Sequence, residues 1–162
     1  MREPSDALRD HLVRALDWEE AHVGFDKAVD GIPPDKQGAL ATGFEHSLWQ
    51  LLEHMRIAQE DILDFCVSAN YAHHMKWPDD YWPQAPAPPN DQAWSHSIAS
   101  YTRSREDIKQ LAREVKDLTA KVPTGKGAQT YLRAILLLVD HNAYHVGQIV
   151  AVRRALGVWK LH

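Results

Sequence analysis

The stretch that most constrains the fold of this chain is residues 71–91, YAHHMKWPDDYWPQAPAPPND. Its prolines at 78, 83, 86, 88 and 89 remove backbone donors and clash with a preceding helical turn, so no regular helix crosses it. The patterns on either side are helical. A connection of about 20 residues can run the length of a helical bundle, which lets the helices it joins lie parallel. Loops this long are uncommon in compact domains and tend to be functional or disordered. Trp77, Tyr81 and Trp82 argue for an ordered connection, because disordered segments rarely carry such large rings.

Four helical patterns surround this break. The first covers about 6–30, with Ser5 as N-cap and an imperfect apolar stripe of Leu8, Leu12, Ala15, Leu16, Val23 and Phe25; Gly31-Ile32-Pro33-Pro34 ends it. The second covers about 40–69, where Leu48, Leu51, Leu52, Met55, Ile62 and Phe65 recur at three- and four-residue steps. The third covers about 91–118, with Asn90 as N-cap and a charge-rich surface. The fourth covers about 128–156 and stops at Gly157. The first and last connections are short, favouring antiparallel neighbours. The expectation is an all-α single domain over residues 1–162: a four-helix bundle with a long crossover between helices two and three, in up-down-down-up order.

Composition limits the partners. A net charge of −4 among 162 residues, with no Lys/Arg block, argues against nucleic acid or an anionic membrane. The longest apolar run, AILLLV, is too short to span a bilayer, and no signal-peptide pattern opens the chain. The single cysteine, Cys66, rules out an internal disulfide and fits a reducing cytoplasm. Histidine is over-represented, with 10 residues, and it is the commonest metal ligand.

Two of these histidines stand apart. His141 and His145, in DHNAYHVGQ, are one turn apart on the same face of helix four, and Gln148 lies a further turn along. Ala134, Leu137, Leu138, Val152 and Ala155 share that direction, so the rings interrupt a core stripe. Buried imidazoles without partners are costly. Either neighbouring groups satisfy the pair, or the i, i+4 spacing lets two nitrogens meet one ion. An ion needs a further ligand from another helix. His54 in WQLLEHM, at the margin of helix two's apolar face, is the best-placed candidate. His46 is two turns from it and about 80° away. His11 and His22 are about three turns apart and cannot share an ion. His73, His74, His96 and His162 are expected at the surface. A di-iron bundle needs two Glu-x-x-His motifs; only Glu19-Glu20-Ala21-His22 is present, and HExxH is absent.

Trp49 to His54 (Trp-x-x-Leu-Leu-x-His), together with the late His-x-x-x-His-x-x-Gln of His141 to Gln148, resembles the DinB/YfiT-like family of bacterial metal-binding four-helix bundles. The resemblance implies that His54, His141 and His145 form a three-histidine metal site, that a crossover joins the second and third helices, and that the protein is a homodimer. Zinc or nickel suits three neutral imidazoles with an open position. Asp140, Tyr144 and Gln148 are candidates for the surrounding shell or pocket, and Glu53 and Asp61 are weaker candidates for a base. Relatives include transferases that use low-molecular-weight thiols. The open position on the ion gives the expectation of a small-molecule substrate and thiol S-transfer, with the cation favouring the thiolate. Hydrolysis by metal-activated water, and a non-enzymatic metal-stabilised module with tryptophans as interface anchors, are the alternatives.

Overall fold

A computed structural model describes residues 4–160. The chain is all-helical: among these residues there are six α-helices and no strand, and one isolated bridge joins Lys121 to Thr130. The helices are α1 (Pro4–Ala15), α2 (Phe25–Val29), α3 (Pro34–Gln37), α4 (Leu48–Val67), α5 (Ala93–Glu114) and α6 (Tyr131–Ala155), with a 3-10 turn at Asp79–Tyr81 in the connection between α4 and α5.

The first expected helix is broken. It splits into α1 and the short α2, separated by residues 16–24. The physical reason lies in the gap in its apolar stripe. Glu19 and Glu20 occupy the positions one turn after Leu16 and are exposed, so a continuous helix would have nothing to bury there. Asp17 instead turns toward α5, where it pairs with Lys109 and, at 3.1 Å, with Arg105; Asp26 of α2 holds the same guanidinium at 3.0 Å. Ser5 lies inside α1 rather than at its cap.

The second expected helix starts later, at Leu48. Ser47 closes a capping box: its hydroxyl accepts from the Gln50 amide, and the Gln50 side chain accepts from the Ser47 amide, each at 3.1 Å. Helix α5 begins after Gln92, with Asn90 accepting from the Gln92 amide at 3.0 Å rather than capping the helix directly. Helix α6 opens on Thr130 and closes before Gly157, whose φ of 71° is the left-handed stop that a glycine adopts without penalty.

Helix α4 packs against both α5 and α6, α1 lies on α5, and α2 on α6. One core cluster joins Leu48, Leu51, Leu52 and Met55 of α4 to Trp94 and Tyr101 of α5 and to Val146, Ile149 and Val152 of α6. A second joins Leu12 and Leu16 to Ile108, Ala112, Ile135 and Leu138. Helix α6 is long and apolar enough, at a mean hydropathy of 1.2, to cross a membrane by length and composition; here its inward face contributes to both core clusters. Arg153 ties α2 to its end by donating to the carbonyls of Ala28 (2.7 Å) and Lys27 (3.3 Å), orphan acceptors at a helix terminus.

Candidate metal centre

Between the two core clusters, α4 and α6 face each other with polar residues. The capping box at Ser47 sets where α4 starts, and with Leu48, Leu51, Leu52 and Met55 turned inward, His54 is carried into the interior at 1% exposure. On α6, Leu138 and Val146 flank His141 and His145; His145 is buried and His141 half-buried. The three residues offer ligand nitrogens that all lie within 4.8 Å of one another. Ring centroids are 4.9 Å apart for His54 and His141, 4.6 Å for His54 and His145, and 4.4 Å for His141 and His145.

The hydrogen bonds decide which nitrogens are free. A carbonyl only accepts, so the 3.0 Å contact of His54 Nδ1 with the Tyr81 oxygen puts the proton on Nδ1 and a lone pair on Nε2. His145 Nδ1 lies 2.6 Å from Gln148 Oε1, which leaves its Nε2 as the second lone pair. His141 Nε2 stands 3.0 Å from His54 Nε2. Two nitrogens held near 2.0–2.1 Å from one tetrahedral ion sit about 3.3–3.4 Å apart, within a few tenths of an ångström of this spacing. The donor set fits a divalent transition ion.

Burial keeps these rings neutral. Desolvation is the main cause of a lowered pKa in all three, pushing His54 down to about 4 and His145 to about 3; for these two the neighbouring imidazoles act in the same direction. The Tyr81 carbonyl and Gln148 oppose the shift and do not overcome it. A neutral imidazole is the ligand form, so near neutral pH protons do not compete for these nitrogens.

Behind His141 runs a buried polar chain. Gln59, fully buried, donates to the Tyr101 carbonyl and to Ser104 Oγ, both at 2.8 Å. Its own oxygen accepts from Asn142 Nδ2 at 2.9 Å. That leaves Asn142 Oδ1 facing His141 Nδ1 at 3.5 Å. Each amide is oriented by the next, from a backbone carbonyl of α5 to a ring of the site. Gln59 and Asn142 escaped the reading of the sequence. The available signal was a glutamine on the apolar face of α4, one turn before Ile62 and Leu63.

The long connection closes one side. The indole of Trp82 stacks on His54, with centroids 3.8 Å apart and planes 2° apart, and His46 stacks on the indole's other face at 3.8 Å. Trp77 lies 6.0 Å from His54. Three residues of α4 and its N-cap, Ser47, hold this segment down. Ser47 donates to the Pro86 carbonyl, Gln50 to that of Pro83 at 3.0 Å and His54 to that of Tyr81, while Asp61 accepts from the hydroxyls of Tyr71 and Tyr81.

The remaining candidates scatter. Gln148 reaches His145 and also donates to Tyr144 Oη at 3.2 Å, and the Tyr144 ring meets His145 edge-on at 5.0 Å. Asp140 is exposed, and it is Asn142 that faces His141 Nδ1. Glu53 is taken up by Arg56 and Ser97, and Asp61 by the two tyrosines. His11, His22, His73, His74 and His96 are exposed; His162 lies outside the described residues.

A family profile described as the DinB superfamily matches residues 17–149, a span that includes all three histidines. Neither the comparison with curated proteins nor that with solved structures gives a match.

Proposed function

Because the chain belongs to the DinB superfamily, we propose that His54, His141 and His145 bind a divalent transition metal, zinc or nickel, and that the centre serves transfer of a low-molecular-weight thiol. The observation that carries the metal reading is the convergence of the three rings with two of their Nε2 lone pairs set by hydrogen bonds from the opposite nitrogen. Three protein ligands leave a coordination position for a substrate, as in catalytic rather than structural sites. The ion's contribution is Lewis acidity, which favours the thiolate of a small thiol at neutral pH. In the transfer, the thiol proton goes to solvent, a sulfur–carbon bond forms at an electrophilic carbon, and the leaving group departs with its electron pair.

Two features of the chain bear on the hydrolytic alternative. Glu53 and Asp61 are both engaged elsewhere, so a bound water, like a bound thiol, has only solvent to take its proton. The stacked face of Trp82 also shields one side from water. The thiol must come from the substrate. Cys66 is buried, its pKa is pushed up to about 12 by desolvation, and it lies 12 residues, about 18 Å, along α4 from His54. The bundle carrying this centre is read as four-helix, up-down-down-up, with α4 and α5 parallel across the aromatic connection. A homodimer in the reducing cytoplasm completes the proposal.

Metal analysis of the purified protein, followed by His145→Ala, tests the first part. The expected result is about one ion per chain, lost in the variant with helicity retained. An apoprotein that takes up neither zinc nor nickel sinks it. For the second part, a panel of small thiols is assayed with an activated electrophile, before and after chelation. A rate unchanged by complete metal removal defeats metal-assisted transfer.

A further inference from the structure

A cavity of about 570 Å³ opens between α4 and α6, roofed in part by the connection. Its volume is that of a small-molecule site. One wall is apolar, from Ile62 and Phe65 of α4 and Ala134 and Leu137 of α6. Lys126 and Arg133 also line it, and among the described residues neither side chain has an acidic partner. The positive end of the α6 dipole adds to the same potential. Asp61 contributes the one acidic group of the lining, and it already accepts from the Tyr71 and Tyr81 hydroxyls.

This cavity adjoins the histidines. Leu137 is one turn before His141 on α6. Tyr81 touches both places: its carbonyl accepts from His54 Nδ1, and its hydroxyl donates to the Asp61 carboxylate in the cavity wall. From Arg133 to His141 is eight residues of helix, about 12 Å. The formal charges of Lys126, Arg133 and Asp61 sum to +1, which matches a monoanion better than a dianionic phosphate.

We propose that this cavity holds the organic substrate of the three-histidine centre, and that the substrate is an amphipathic monocarboxylate. Its carboxylate sits between Lys126 and Arg133. Its apolar body lies along Phe65 and Leu137, and its far end is directed at His141. The assignment rests on the metal reading above for the identity of the centre, not for the binding of the carboxylate.

Titration calorimetry with octanoate, 1-octanol and octyl phosphate, on metal-free and zinc-treated protein, tests it. Octanoate should bind at least about tenfold more tightly than the alcohol, the difference a charge-assisted contact makes. The double variant Lys126→Gln/Arg133→Gln should abolish that preference while zinc uptake and the helical signal stay unchanged. His145→Ala should lose zinc and keep octanoate. Absence of octanoate binding at millimolar concentration, equal affinity for acid and alcohol, tighter binding of the phosphate, or an unaffected double variant each overturns the proposal. A protein that binds octanoate as described but takes up no zinc overturns the metal reading and leaves the cavity's ligand standing.

Discussion

His54 lies flat against Trp82, with ring planes 2° apart, while the preceding residue, Tyr81, supplies the carbonyl that orients it. One dipeptide of the connection therefore fixes both the tilt and the tautomer of a candidate ligand. Trp82→Ala removes a half-buried indole from the His54 and His46 rings. It should cost about 2–3 kcal/mol, less than a fully buried aromatic because the indole is half-buried, and weaken zinc binding by about tenfold or more. Urea denaturation and competitive metal titration measure the two effects; Trp82→Phe should recover most of the second. An unchanged zinc affinity in Trp82→Ala would show that stacking does not orient the ring.

Gln59 couples α5 to His141 through Asn142. Gln59→Leu keeps the volume but strands the Asn142 amide and removes one donor from Ser104 and the Tyr101 carbonyl, which keep their own bond at 3.0 Å. A loss of about 2–3 kcal/mol is expected, since buried polar groups left unpaired carry their desolvation cost. Metal affinity should fall by about 10–100-fold, the range for loss of a partner behind a ligand. If stability drops and affinity does not, the chain is a core network only.

The depressed histidines make the metal-free protein acid-sensitive. Unfolded imidazoles take up protons as pH falls below about 6.5, whereas folded His54 and His145 resist until about 4 and about 3. The unfolded state therefore binds more protons across that window, and stability falls as pH drops through it. Glu53, held below the usual carboxylate range against its own burial by Arg56 and Ser97, adds a loss of the same sign only below about 4.5. Urea unfolding at pH 7, 6 and 5 isolates the histidine part. His54→Gln should flatten that slope; a slope that is equally steep in the variant assigns it elsewhere.

Ser47 serves α4 and the connection at once, accepting from Gln50 and donating to Pro86. Ser47→Ala should cost about 1–2 kcal/mol as a lost cap. It should also free the segment it ties down. Limited proteolysis between Trp77 and Gln92 reads this: slow in the parent chain, faster in Ser47→Ala and in Asp61→Asn, where the tyrosine hydroxyls lose their carboxylate. Rapid cleavage of the parent would show that the connection is not an ordered cover.

Local chemistry determined a good deal here. The three- and four-residue recurrence of Leu48, Leu51, Leu52 and Met55 marks α4, the prolines after residue 77 interrupt helical order, and Gly157 stops α6, because each acts through its own backbone or its nearest turn. The i, i+4 spacing alone brings His141 and His145 onto one face. The Ser47-x-x-Gln50 box was legible too, and it places the helix start eight residues later than the apolar pattern implied. The break after Ala15 was half visible, in a stripe with nothing apolar at 19 or 20.

Only the tertiary structure decided the rest. That His54 Nε2 meets His141 Nε2, 87 residues away, depends on how α4 packs on α6. That Gln59 rather than Asp140 stands behind the site depends on which face α5 covers. That Trp82 rather than Trp77 lies on the ring depends on where the connection is pinned. These contacts join residues far apart in the chain. Their geometry follows from burial shared among several helices, which no local pattern encodes.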